Sequence, residues 1–315
     1  MRKQTGQMSF ADGLVEQRCG SLDEVLRLVD WAAVEGVLRQ VHSSRHGRPG
    51  YGPLVLLRCL LLQQWYELSD PGLEEALADR LSFRRFVGLS LSDEVPDHST
   101  LSRFRKFLCE QGLSGRILSE INRQLEARGL LLKRGTLIDA SLIAAHARKP
   151  RAGEDKATCP DQDAAWHNSA RKGPFYGYKA HVAVDEGSGL VRQAILTPAN
   201  VSDKTPALAL VQGDEATVYA DKGYDSSWIR SRLAARGVAD GIMMANYVRR
   251  RLTEAGKQRN REIARIRASV ERVFATLKHW YGYCKVRYRS LIRNDLQLQL
   301  LCMAMNLRRA LAITA

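Results

Sequence analysis

Residues 135–143, GTLIDASLI, decide how this chain is read. The stretch is a short apolar run rich in strand formers, and an acid, Asp139, sits where the first run ends. Working outward, YKAHVAVD (178–185) and LVRQAILT (190–197) read as two further strands. Glu186-Gly187-Ser188-Gly189 joins them with hairpin chemistry. ATVYAD (216–221) is a fourth strand that ends on a second acid, Asp221, with Gly223 two residues later. VADGIMMA (238–245) is a fifth. Between them, Asp203 is a candidate cap for a helix through Val211, and Asp225 or Ser226 for the next one. A long helical pattern runs from about Thr253 to Trp280, and a last one from Ile292 to Leu311.

The order β-β-β-α-β-α-β-α is that of the ribonuclease H-like fold, a mixed five-stranded sheet with helices on both faces, here over residues 133–315. A polar stretch, 147–174, separates the first two strands. Its Arg148, Lys149, Arg151, Arg171 and Lys172 are interleaved with Trp166 and Tyr176. Such a loop can track a nucleic-acid strand and stack its bases, or simply be solvated. Asp161 and Asp163 are read as exposed loop acids, which rarely bind metal.

Residues 1–132 form an all-α domain by their periodicity. Ser21 precedes Leu22, Val25, Leu26 and Val29, so it is a plausible N-cap. HSSRHGRPGYGP (42–53) is a loop; His42 and His46 lie beside Arg45 and Arg48, where phosphate contact or solvation outweighs metal binding. Helical stretches follow at Leu54–Glu67, Leu73–Leu81 and Phe83–Leu89. Pro96-Asp97-His98-Ser99 then leads into Thr100–Cys109. There Leu101, Phe104 and Leu108 face inward while Ser102, Arg103, Arg105 and Lys106 face out. This suits a helix-turn-helix unit, or equally a bundle with a basic face.

The 315 residues carry a net charge of +14, which points to a polyanionic partner. The excess is concentrated: Arg230 to Arg293 holds 17 Lys and Arg against four acids, Asp240, Glu254, Glu262 and Glu271. Six scattered cysteines without a C-x-x-C pair argue against a zinc site and suit a reducing cytosol. No leader is recognisable, and the longest apolar run, Leu54 to Leu62, is too short to span a bilayer. A cytoplasmic, nucleoid-associated protein with no membrane partner is the expectation.

Asp139, Asp221 and Glu271 carry the chemistry. Two strand-end aspartates and a helix glutamate are suited to a pair of hard divalent cations and a shared phosphate ligand. On the long helix Ile263, Ile266, Val270, Val273, Phe274 and Leu277 form one apolar stripe. Arg267, Glu271 and Lys278 fall at i, i+4 and i+11, within roughly 40° of one another.

That R-x3-E-x6-K pattern resembles the third-acid signature of bacterial insertion-sequence DDE transposases. ASVERVFATLKHWYG (268–282), GYKAHVAVD (177–185), ADKGYDS (220–226) and AMNLRRAL (304–311) look like the insertion sequence five group. So do GRPGYGPLVLLRCLLLQQWYELSD (47–70) and VPDHSTLSRFRKFL (95–108) in the helical domain. The resemblance spans about residues 5 to 311. Asp139 and Asp221 are 82 residues apart and Asp221 and Glu271 are 50 apart, leaving no room for a large inserted domain in the second gap. Relatives often carry Tyr three residues before the signature Arg; here Ala264 stands there.

The resemblance implies metal-dependent cleavage at transposon ends and strand transfer into target DNA. Asp139, Asp221 and Glu271 would be the catalytic metal ligands for two Mg²⁺ ions, with Mn²⁺ able to substitute. The partner would be double-stranded DNA, as terminal inverted repeats and target, bound by a homodimer because two ends must be joined. Lys179 and His181, sharing one strand face, are candidates for phosphate contact. Arg267, Lys278, Arg249, Arg250 and Arg251 are candidates for the DNA backbone; Arg103, Arg105 and Lys106 are candidates for reading the ends. The competing readings are an inactive, transposase-derived repressor and a structure-specific nuclease on the same fold.

Overall fold

The computed structural model describes residues 4–7, 20–40, 50–151, 154–155, 158–169, 173–246 and 251–314. The chain divides into two compact units: residues 1–125 with 303–315, and residues 126–302. Among the described residues no helix is long and apolar enough to cross a membrane, and no disulfide joins the described cysteines.

In the first unit α1 (Ser21–Leu28), α2 (Trp31–Val37), α3 (Pro53–Trp65), α4 (Asp70–Asp79), α5 (Leu81–Val87), α6 (His98–Glu110) and α7 (Leu113–Ala127) follow in order. Helix α3 is apolar all round and touches α2, α4, α5 and α6, so Leu57, Leu60, Leu61 and Leu62 have no exposed surface. A helix with no polar face must be central. Trp65 packs edge-on to Phe86, with ring centroids 5.4 Å apart. The first helix begins one residue earlier than the Ser21 cap implies, while the sixth is capped from within the Pro96–Ser99 segment. The N-cap of α1 is Gly20, whose N–H donates to Asp23 Oδ2 at 2.8 Å. Asp97 caps α6 by accepting from the Thr100 N–H at 2.6 Å.

The second unit is built on one sheet of β1 (Thr136–Ala144), β2 (Ala165–Ser169), β3 (Gly173–Asp185), β4 (Val191–Pro198), β5 (Thr217–Ala220) and β6 (Ala239–Ile242). Strand β3 pairs antiparallel with β1, β2 and β4; β1 pairs parallel with β5, and β5 with β6. The five expected strands are all present, in the spatial order β4-β3-β1-β5-β6, the ribonuclease H-like arrangement. The sixth, β2, comes from the long loop, which is therefore partly ordered onto the first residues of β3. Where β3 changes partners, Gly177 lies so close to β1 that an added Cβ would sit 2.2 Å from the Ile143 carbonyl oxygen. Only glycine fits there.

One sheet face (Ile138, Ala183, Val218, Ala220, Ile242) packs on a 3₁₀ turn at Ala207–Ala209 and on α8 (Ser227–Ala235). No helix through Val211 forms, and Asp203 is not its cap. The long helix α9 (Glu254–Ala275, capped by Thr253) packs on β1 and β5 and runs into a π turn at Thr276–Trp280. Asn260 ties it to Met244 through both backbone groups, at 2.8 and 2.9 Å. The last helix, α10 (Leu291–Thr314), is shared: its first half, to Cys302, belongs with the sheet, and its second half with the helices.

Candidate active site

Strand β1 alternates its side chains, so Ile138 enters the core and Asp139 points to the face covered by α9. There Arg267 Nη2 donates to Asp139 Oδ2 at 3.1 Å, while Oδ1 accepts from the Ala140 N–H at 2.8 Å. Both side chains are largely buried, 23% exposed for Asp139 and 15% for Arg267. Burial pushes the Asp139 carboxyl above its ordinary range. Arg267 pulls it down, while the charges of Asp221 and Asp203 push it up again.

Asp221 follows β5 directly and folds back over the next turn, its Oδ1 accepting from the Gly223 N–H at 2.8 Å. Tyr224, at the end of that turn, is 2% exposed and its hydroxyl has no hydrogen-bond partner among the described residues. Burial, then the charges of Asp203, Asp139 and Asp221, raise its pKa, so the phenol keeps its proton. Glu271 is exposed. With Val270 taken as the centre of the buried face of α9, Arg267 lies at roughly 60° and Glu271 at roughly 100°, at about 100° per residue. These two therefore follow the border of the buried face, Arg267 nearest the sheet and Glu271 one turn further on, while Lys278 is half-buried in the π turn beyond the helix. Among the described residues no group of three His, Cys, Asp or Glu side chains is drawn together to hold a metal ion.

Other candidates have different surroundings. Lys179 is buried; it donates to Asp203 Oδ1 and to the Val201 carbonyl, both at 2.7 Å. His181 has no exposed surface, its Nε2 lies 2.9 Å from Thr197 Oγ1, and burial lowers its pKa to about 4. Neither side chain lies on the surface, because β3 is an interior strand covered on both faces. Arg105 does not face out: it is buried and pairs with Asp70 and Gln63, the Nη1–Oδ1 bond to Asp70 being 2.9 Å. Arg103 and Lys106 are exposed on the same helix. Arg251 is exposed just before α9. Arg249, Arg250, Arg171 and Lys172 lie outside the described residues, as do His42, Arg45, His46 and Arg48.

Asp161 is no exposed loop acid. It is fully buried and accepts from the Tyr178 hydroxyl at 2.6 Å, and Asp163 Oδ2 accepts from the Leu291 N–H at the start of α10. Part of the basic excess is also internal. Arg230 bridges Asp225 and Asp240, and Arg259 donates to the carbonyls of Asp240 and Ile242. Asp203 and Tyr224 are the site residues that sequence reasoning missed. Tyr224 is visible within ADKGYDS, whereas nothing local marks Asp203 as close enough for its charge to reach Asp139.

Two solved structures are similar at low identity. One is "Cryo-EM structure of piggyBac transposase synaptic complex with hairpin DNA (SNHP)", with 10% identity over 92% of this chain and 73% of that one, and a TM-score of 0.44. The other, "Crystal structure of a pre-cleavage Mos1 transpososome", has 13% identity over 87% and 82%, with a TM-score of 0.20. Both scores fall below one half, so family membership rests on the sequence match. Residues 10–107 match the family described as Transposase domain (DUF772). Residues 131–307, more than half of the chain and the whole of the acid-bearing sheet, match the family described as Transposase DDE domain. The chain belongs to the DDE transposases.

Proposed function

We propose that this chain cuts DNA at the ends of its own element and joins them to target DNA, as a transposase of the insertion sequence five group. The observation that carries the reading is the Arg267–Asp139 pair. It lodges a cation on a buried strand acid and brings the border of α9, with Glu271 one turn on, over the strands that carry Asp139 and Asp221.

The donors fit a divalent ion. Asp139 and Asp221 are hard oxygen ligands close enough for the charge of one to raise the pKa of the other, and a guanidinium already rests where positive charge is favoured. Asp139, Asp221 and Glu271 would hold Mg²⁺, two ions in all, with Mn²⁺ as a substitute. Bound there, the metal supplies Lewis acidity that activates the attacking hydroxyl and steadies the leaving oxygen. Arg267, released from Asp139, turns to the phosphate under attack. Lys278, half-buried in the π turn that follows α9, holds a neighbouring phosphate. Tyr224 keeps its proton beside the acids.

Double-stranded DNA would be gripped by exposed cations: Arg251, Arg261, Arg265 and Arg272 in the sheet unit, and Arg103 and Lys106 in the helical unit. The helical unit would read the terminal repeats and contribute to a homodimer, since two ends must be joined. The test is to incubate the purified chain with DNA carrying the gene's flanking ends, with and without Mg²⁺, beside Glu271→Ala. Nicking at the end boundaries that needs the metal and is lost in the variant supports the proposal. Binding without cleavage, in Mg²⁺ or Mn²⁺, would overturn it in favour of a repressor.

A further inference from the structure

Trp280 closes the π turn after α9 and is 77% exposed, the most exposed of the large apolar side chains among the described residues. In an unbroken α-helix it would lie at the edge of the buried face, roughly 80° from Val270. The wider π turn advances less per residue and carries the ring toward the outer face, where the exposed Arg261, Arg265 and Arg272 form a basic ridge. From Lys278 to Arg293 the chain has five Lys and Arg and no acid.

The platform is firmly moored. Tyr283, three residues on, is buried, and its N–H donates to the Leu277 carbonyl at 2.9 Å. The Ala144 N–H donates to the Cys284 carbonyl, and the Val286 N–H to the Ala144 carbonyl, both at 2.9 Å. Ala144 ends β1, the strand that carries Asp139, so the turn bearing Trp280 is fixed to the strand of the candidate site. Trp166, by contrast, is already partly covered by Tyr176, at 5.3 Å between centroids.

We infer that Trp280 is a stacking platform for a DNA base close to the cleaved phosphate, with the neighbouring cations holding the backbone. A large aromatic ring held in water amid positive charge suits a base, which offers a π-face whatever its sequence. Trp280 lies nine residues beyond Glu271, about 13 Å along the axis. That is about four stacked nucleotide steps, and fewer if the strand is extended. The ring is a positioning group and takes no part in the chemistry; the inference rests on the DNA-cleaving reading above.

The full chain is titrated, without divalent metal, with a labelled thymidine oligonucleotide and with a duplex, following polarisation and tryptophan emission. Trp280→Ala is expected to weaken oligonucleotide binding about 5- to 150-fold and to remove part of the emission quench. Trp280→Phe should keep most of the affinity. Equal affinity and equal quench in Trp280→Ala would overturn the stacking site while leaving the DNA reading intact. Failure of the unaltered chain to bind either DNA would sink both. Self-association that disappears in Trp280→Ala, with DNA affinity unchanged, would assign the ring to a contact between copies instead.

Discussion

Replacing Arg267 and Asp139 singly and together gives a direct measure of how firmly α9 is fixed over β1. The pair is 3.1 Å apart with 15% and 23% of its side chains exposed. At an effective dielectric of about 20 the gross attraction is about 5 kcal/mol. Desolvation offsets much of that, leaving a coupling of about 1–3 kcal/mol. Urea unfolding of the parent, Arg267→Gln, Asp139→Asn and the double variant at about pH 7 yields the coupling from the double-mutant cycle. Each single variant should lose stability, because it strands the other group, and the double variant should lose less than their sum. A coupling under about 0.5 kcal/mol, the range of exposed pairs, would mean that the pair does not fix α9 over β1 and would leave Glu271 with no fixed relation to Asp139.

Further outcomes follow from the same structure. His181 takes up a proton at about pH 4 when folded and near 6.5 when unfolded, so it stabilises the fold above about pH 6.5 and loses that contribution, up to about 3 kcal/mol, as pH falls toward 4. Denaturant melts of the parent and His181→Asn should converge across that window; a constant gap would contradict the assignment. Gly177→Ala should cost more than about 3 kcal/mol, or prevent folding, because its Cβ would meet the Ile143 carbonyl. Gly115→Ala, in open space on α7, should stabilise by about 0.5–1 kcal/mol in thermal melts. Arg105→Ala should destabilise by about 3 kcal/mol in the same melts, because Asp70 loses the cation paired with it. Arg103→Ala should leave stability within about 0.5 kcal/mol and lower the salt slope of DNA binding by about one.

The strands are legible because each is a short apolar run bounded by Gly or an acid, and the periodic stripe of α9 shows which side of it is buried. Arg105 shows where reading by charge alone fails. On a helical wheel it lies only about 40° from Leu101, within the apolar arc, yet its partner Asp70 is 35 residues away. Lys179 and His181 mislead for another reason: alternation distinguishes two faces of a strand but cannot show that both are covered. Asp203 is hidden because its closeness to Lys179 arises only when β3 and the segment after β4 come together. Asp161 reads as a loop acid because the Tyr178 hydroxyl that it binds comes from a separate strand.

The most direct test concerns Glu271, which is exposed while Asp139 and Asp221 share a local field. Mn²⁺ binding is titrated by electron paramagnetic resonance on the chain bound to end DNA, for the parent and for Glu271→Gln. The parent should remove free Mn²⁺ from solution, and the variant should bind it at least about tenfold more weakly. Equal Mn²⁺ affinity in the two proteins would contradict the claim that Glu271 completes the metal site begun by Asp139 and Asp221.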